Sequence, residues 1–422
     1  MFRRTRLLLG ILAAVFILIW SLMQIGWSMA SDQRLPRVLP QTPSDSLPHV
    51  VDDLLSLFRS YEPIPANINV SRAARTSEER QDGLDELLRL DYQDILDTRY
   101  IHQQLVANLP EYPHLFNGKG IVMVGGGKFL RIALHSIRML RRSGTTLQVE
   151  LWLSDWSEYS EAFCAEISTQ NVRCRVISDY VGEGVIDRYQ LKSFAILLSD
   201  FEEVLFLDAD DFPISSVDDI FSNTGVTIWP DYWASTASPL LFEIVDVPQT
   251  FFRTCETGQL LWNKRTHFRS LALACYYNFY GPNYFYPLLS LGAAGEGDKE
   301  TFLLACQVTN QSYVFVDKPL QTLGYHSDEY HGTGMVQADP RNTSRGLFIH
   351  AHFPKFDAVS LFLEGALEIH SLSSFWGPIA LEVAGYDIEA VAFQELAYVE
   401  CNSSLSRPSI CRQLYEVLIP GV

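Results

Sequence analysis

At 422 residues and 47% hydrophobic content, the chain is long enough for one large α/β domain or two modest ones. Lys and Arg total 32 against 50 Asp and Glu, a formal net charge of −18 with no basic block, which sets nucleic acid aside as a partner. Acidity does not exclude an anionic ligand, because a bound cation can invert the local field.

The N-terminus reads MFRRTRLLLGILAAVFILIWSLMQIGWSMAS. Arg3, Arg4 and Arg6 precede a stretch that carries no charge until Asp32. That gap of roughly 25 residues exceeds the ~20 needed to cross a bilayer, and a cleavable signal has an apolar core of only about 7–15. Residues 7–27 are expected to form an uncleaved signal-anchor helix, with residues 1–6 cytoplasmic and the remainder on the other side. Small residues at Ser28 and Ala30 leave cleavage open. Tripeptides for N-glycosylation at Asn69, Asn310, Asn342 and Asn402 agree with a lumenal or exterior location. In an oxidising lumen Cys164 with Cys174, and Cys401 with Cys411, are short-range disulfide candidates, free buried thiols being the alternative.

Residues 31–50 mix prolines with polar residues, as an extended membrane-proximal stem does. Residues 51–110 alternate short helical patterns with charge, and Leu84, Leu87, Leu88, Ile95 and Leu96 fit a helical stripe. Residues 28–110 therefore read as stem and helical lead-in, the lead-in either packing on the following domain or extending the stem, and 111–422 as the lumenal domain.

The strong pattern begins at residue 119. KGIVMV is a strand, GGGK a tight loop, and FLRIALHSIRMLRRSG a helix with Leu130, Leu134, Ile137 and Leu140 on one face. Strand LQVELWL, a helix through EYSEAFCAEIST, strand VRCRVI, helix RYQLKSFAILLS and strand EEVLFLD follow. Strands alternating with helices of about 10–15 residues imply parallel βαβ units. Ligands of such sheets bind outside the carboxyl ends of the strands, where both GGGK and DADD fall. After residue 215 the alternation fades into aromatic, proline-rich runs, read as long loops over that rim.

Asp208 and Asp210 lie two apart at the end of an apolar strand, placed to share one hard cation such as Mg²⁺ or Mn²⁺. Asp211 is read as a turn or helix-capping residue before ISSVDDIF. FIHAHFPKFD places His350 and His352 two apart, so in a continuing strand both point one way.

Several segments in order, GKGIVMVGGGKFLRIALHSIRMLR, LKSFAILLSDFEEVLFLDADDFP, WPDYWASTASP, TGQLLWNKRTHFRSLALACYYN and GDKETFLLA, resemble the fungal α-mannosyltransferases of glycosyltransferase family 71. The resemblance implies a GT-A-type Rossmann-like nucleotide-sugar-binding sheet on a single-pass type II Golgi membrane protein. It also implies GDP-mannose as donor, Mn²⁺ as cofactor (Mg²⁺ being possible) and transfer to a mannose-terminated glycan, in an α-1,3 linkage with retention. Asp208 and Asp210 would then hold the metal against the donor diphosphate, with a late histidine, His352 ahead of His350, as third ligand and Lys355 on phosphate. Gly125, Gly126 and Gly127 would admit the nucleotide, with Lys128 and Lys192 as further contacts. Asp298 and, second, Glu300 are the candidate catalytic acids; an enzyme nucleophile and same-face attack both remain open. Asp231, Gln259 and His326 are candidate sugar contacts. The rival readings are a membrane-tethered lectin or scaffold on a transferase fold, and a transferase with another nucleotide-sugar donor.

Overall fold

The pivot of the fold is the apolar run that ends in the acid cluster. In the computed structural model, which describes residues 47–77, 83–221, 225–250, 253–293, 297–363 and 374–418, this run is strand β4 (Glu203–Asp208). The expected signal-anchor at 7–27 and the first part of the stem lie outside the described residues. No helix among the described residues is long and apolar enough to cross a membrane.

Strand β4 is buried on both faces, which is why its sequence shows no alternation. Val204 and Phe206 enter one core cluster, Leu205 and Leu207 a second, and all four are fully inaccessible. The expected elements before it are present: β1 (Lys119–Val124), a helix at Leu130–Arg142, β2 (Val149–Leu153), a helix at Glu161–Ser168, β3 (Val172–Val176) and a helix at Gln190–Leu198. Leu130, Leu134, Ile137 and Leu140 all pack into the core, as their spacing predicts. Strands β3, β2, β1 and β4 pair in parallel in that order. Val124 stands opposite Asp208, so the glycine loop and the acids are neighbours on one rim.

Beyond β4 the sheet changes direction. After a short β5 (Asp211–Pro213) come β6 (Val226–Ala234), β7 (Arg253–Asn263) and, after a stretch of helices, β8 (Val314–Phe315). Their order completes a seven-stranded sheet, β3-β2-β1-β4-β7-β6-β8, in which β7 is antiparallel to both β4 and β6. Antiparallel strands need no helical crossover, so the regular alternation ends there. A second, four-stranded antiparallel sheet has the order β5-β11-β10-β9, with β9 at Gln321–His326, β10 at Tyr330–Asp339 and β11 at Asn342–His350. Pairing of His350 with Asp211 carries the end of β11 to the acid cluster.

Two local expectations need correction, and one open choice is resolved. Leu84 lies in a short 3₁₀ turn, Leu84–Glu86, so the proposed stripe is not one helical face; of its two members in the helix Tyr92–Asn108, Ile95 is buried and Leu96 exposed. Of the two arrangements open to the lead-in, it packs on the domain: Val51, Leu54, Leu55 and Phe58 of the helix Leu47–Ser60 join the cluster under the large sheet. Asp211 caps no helix: it belongs to β5 and is fully buried.

Both expected disulfides are formed, Cys164–Cys174 and Cys401–Cys411, each closing a separation of 10 residues. A loop of that size contributes about 2–3 kcal/mol through the unfolded state. Cys401→Ser should therefore lower the urea-unfolding free energy by that amount, and an unchanged midpoint would show that the bond adds nothing.

Candidate active site

The acids sit among cations delivered from three directions. Lys192, on the helix behind the sheet, sends its ammonium to Asp208 Oδ2 at 3.1 Å and to the carbonyl and hydroxyl of Thr257 at 2.8 and 2.9 Å. The same nitrogen is 3.8 Å from Asp298 Oδ2. It is 7% exposed, so this lysine is built into the rim and does not snorkel to solvent. Asp210 is ion-paired to Lys355, and its Oδ1 is 3.4 Å from His350 Nε2. On the other side of the ring, His350 Nδ1 lies 3.1 Å from Glu256 Oε1. Ligand atoms of Asp208, Asp210 and His350 all lie within 4.8 Å of one another.

This replaces His352 by His350 as the third member. Strand β11 ends at His350 and the chain turns through residues 352–355, so the alternation that would place both rings on one side is broken. His352 points back along its own chain, its Nδ1 3.4 Å from the His350 carbonyl.

Burial and charge set the protonation of the group. Burial would raise Asp210, but His350 and Lys355 outweigh it and hold the carboxyl well below the usual range. Burial likewise opposes charge on His350, yet Asp210 and Glu256 hold the imidazole well above its ordinary value. Asp208 is raised by burial, with Lys192 opposing. Asp211 is pushed far up by burial, and neither carboxyl oxygen has a hydrogen-bond partner among the described residues.

Asp298 and Glu300 are buried acids beside this group. Burial pushes Asp298 up to about 6, with Lys192 opposing, and Glu300 up to about 7, with Lys299 opposing. Glu300 accepts a hydrogen bond from the Cys255 amide at 3.2 Å and lines a cavity with Trp233 and Lys299. Its folded pKa exceeds the ordinary 4.5, so between 4.5 and about 7 the folded chain holds a proton that the unfolded chain has lost. The destabilisation from Glu300 is absent below that window and complete above it, so this group makes stability fall as pH rises. Glu300→Gln should thus be more stable than the parent by about 3 kcal/mol at pH 8. That gain should shrink towards pH 4; a difference independent of pH in chemical denaturation would contradict it.

The other sequence candidates are placed differently. A Cβ on Gly126 would lie 1.9 Å from Glu158 Oε2, and Gly127 has φ +53°, so packing already requires these glycines. The Glu158 carboxylate facing the loop accepts the Ser154 amide hydrogen at 2.8 Å. Gly125 is packed against Ala133, and its amide donates to the Trp152 carbonyl. Lys128 is exposed, its ammonium over the ring of Phe129. Asp231 is buried and ion-paired with Lys299. Gln259 is fully buried opposite Leu207, with both amide atoms unpartnered among the described residues. His326 is exposed on β9, at the opposite edge of the small sheet from β5, and is not brought to the acids. Sequence reasoning missed Glu256 and Thr257. The available signal was a carboxylate inside an otherwise buried strand, RTCETGQLLWN, two residues before a glycine.

Residues 118–254 and 247–339, more than half of the chain, match the sequence family described as "Mannosyltransferase putative". The chain belongs to this mannosyltransferase family. The matched region of this family member holds Lys192, Asp208, Asp210, Glu256 and Asp298 and stops before His350 and Lys355. Alpha-1,2-mannosyltransferase MNN24 of Candida albicans is 36% identical over 295 residues, covering 58% of this chain and 42% of its own. Alpha-1,2-mannosyltransferase MNN21 of the same organism is 30% identical over 416 residues, covering 75% and 63%. The mannosyltransferase chain thus spans roughly half the length of these curated relatives. The solved galactosyltransferase LgtC, in complex with donor and acceptor sugar analogs, overlaps 47% of this chain and 76% of its own at 13% identity. Its TM-score of 0.32 is too low to inform the site.

Proposed function

We propose that the protein is a Golgi mannosyltransferase, held by a signal-anchor at 7–27, that transfers mannose from GDP-mannose to a mannose-terminated glycan with retention on a GT-A-type fold. The observation that carries this reading is the convergence of Asp208, Asp210 and His350 on one rim, flanked by Lys192 and Lys355, in a member of a mannosyltransferase family. Two carboxylates and one imidazole fit a hard divalent cation, with Mn²⁺ better suited than Mg²⁺ to the nitrogen ligand. Once bound, such an ion supplies Lewis-acid neutralisation of a departing diphosphate.

The chain's own groups divide the remaining work. Lys192 fixes the Asp208 carboxylate against Thr257 of β7 and adds positive charge where a diphosphate would lie. Lys355, about one-third exposed, can turn from Asp210 to a phosphate oxygen. Asp298, tied to Lys192, is the first candidate for orienting an acceptor hydroxyl, and Glu300, anchored to the Cys255 amide, the second. The α-1,3 linkage implied by the resemblance gives way here to α-1,2, the linkage named for the relatives. Incubation with GDP-mannose and an α-mannoside, followed by methylation analysis, should yield 2-linked mannose. A 3-linked product would reverse the linkage, and no product across an acceptor panel would favour a lectin or scaffold.

A further inference from the structure

We propose that Glu256 is a positioning residue: it fixes the His350 ring as a metal ligand and thereby sets the affinity of the site for a divalent cation. This rests on the metal reading above. An imidazole can give one nitrogen to a cation, and the partner of its other nitrogen decides tautomer and ring orientation. His350 presents Nε2 to Asp210 at 3.4 Å and Nδ1 to Glu256 at 3.1 Å, so Glu256 holds the nitrogen that faces away from the acid pair.

Glu256 is itself held. Its Oε1 also accepts the Gly258 amide hydrogen at 2.6 Å, and the residue is 5% exposed. Gly258 supplies the space: a Cβ there would fall 2.7 Å from His350 Nδ1 and 2.9 Å from both Glu256 Oε1 and Asp211 Oδ2. A methyl group would push the ring out of line. The contact also joins β7 of the large sheet to β11 of the small one. A purely structural latch is thus the competing role, and it predicts lost stability with unchanged metal affinity.

The experiment titrates the full chain with Mn²⁺ and follows the signal of the free aquo ion by electron paramagnetic resonance, alongside far-UV circular dichroism without metal. Glu256→Ala should weaken Mn²⁺ binding by about 10–100-fold. Glu256→Gln keeps an oxygen acceptor for Nδ1–H and should recover part of that loss, whereas Gly258→Ala should lose affinity with Glu256 intact. His350→Ala and the double variant His350→Ala/Glu256→Ala should bind equally weakly, because Glu256 acts through the ring. Wild-type affinity in folded Glu256→Ala, or losses that multiply in the double variant, overturns the proposal. If Glu256→Ala does not fold, unchanged affinity in both Glu256→Gln and Gly258→Ala overturns it. A wild-type chain that binds no Mn²⁺ sinks the metal reading and this inference together, while binding that ignores Glu256 sinks the inference alone.

Discussion

Asp208→Asn is expected to lower mannosyl transfer by about 1,000-fold or more, because several kcal/mol of transition-state charge stabilisation depend on the ion and each 1.36 kcal/mol is tenfold. Asp208 and Asp210 are the carboxylates of the cluster, and asparagine keeps the shape of either while removing its charge. The fold should survive the first substitution. Lys192 retains the Thr257 carbonyl and hydroxyl, and removing the Asp208 charge relieves a carboxylate that burial already disfavours. Asp210→Asn should fall as far in activity with a larger stability loss, since Lys355 and His350 both bind that carboxylate. Turnover at saturating donor, paired with circular dichroism, measures both; activity within tenfold of the parent in two folded variants would remove the metal role from these residues.

The largest stability effect is expected at Lys192. Its ammonium is the shared cation of Asp208 and Asp298; the lysine and Asp298 are buried, and Asp208 is half-buried at the rim. Lys192→Met keeps much of the side-chain volume but leaves the buried Asp298 and the half-buried Asp208 without their partner, a change that costs about 3–5 kcal/mol. The loss should be smaller at pH 5 than at pH 8, because burial has already pushed Asp298 up to about 6 and protonation removes the uncompensated charge. Urea unfolding of Lys192→Met at both pH values tests this. A cost under about 1 kcal/mol, or one that grows at low pH, would mean that the lysine is not the charge balance of the site.

The parallel half of the fold was legible because its signals are local. An unbroken apolar run such as 204–207 has to be buried on both faces, and helical spacing such as 130, 134, 137 and 140 needs one core. The antiparallel half gave no such signal. Strand β5 is three residues long, and the first residues of β11, from Asn342, are exposed and polar. Without β5 in view, Asp211 looked like a turn acid, although it sits buried opposite His350. The choice between His350 and His352 turned on where β11 ends, a question of inter-sheet pairing that residue alternation does not answer. Lys192 was readable as a cation interrupting an apolar helix near the rim. Its link to Thr257 required knowing that β7 pairs beside β4.

Transfer of radiolabelled mannose from GDP-mannose to an α-mannoside by the purified full chain, with and without Mn²⁺, tests the central claim most directly. The account predicts acceptor-dependent transfer that EDTA abolishes and Mn²⁺ restores. Transfer that is indifferent to EDTA, or no consumption of GDP-mannose while another nucleotide sugar is used, would contradict it.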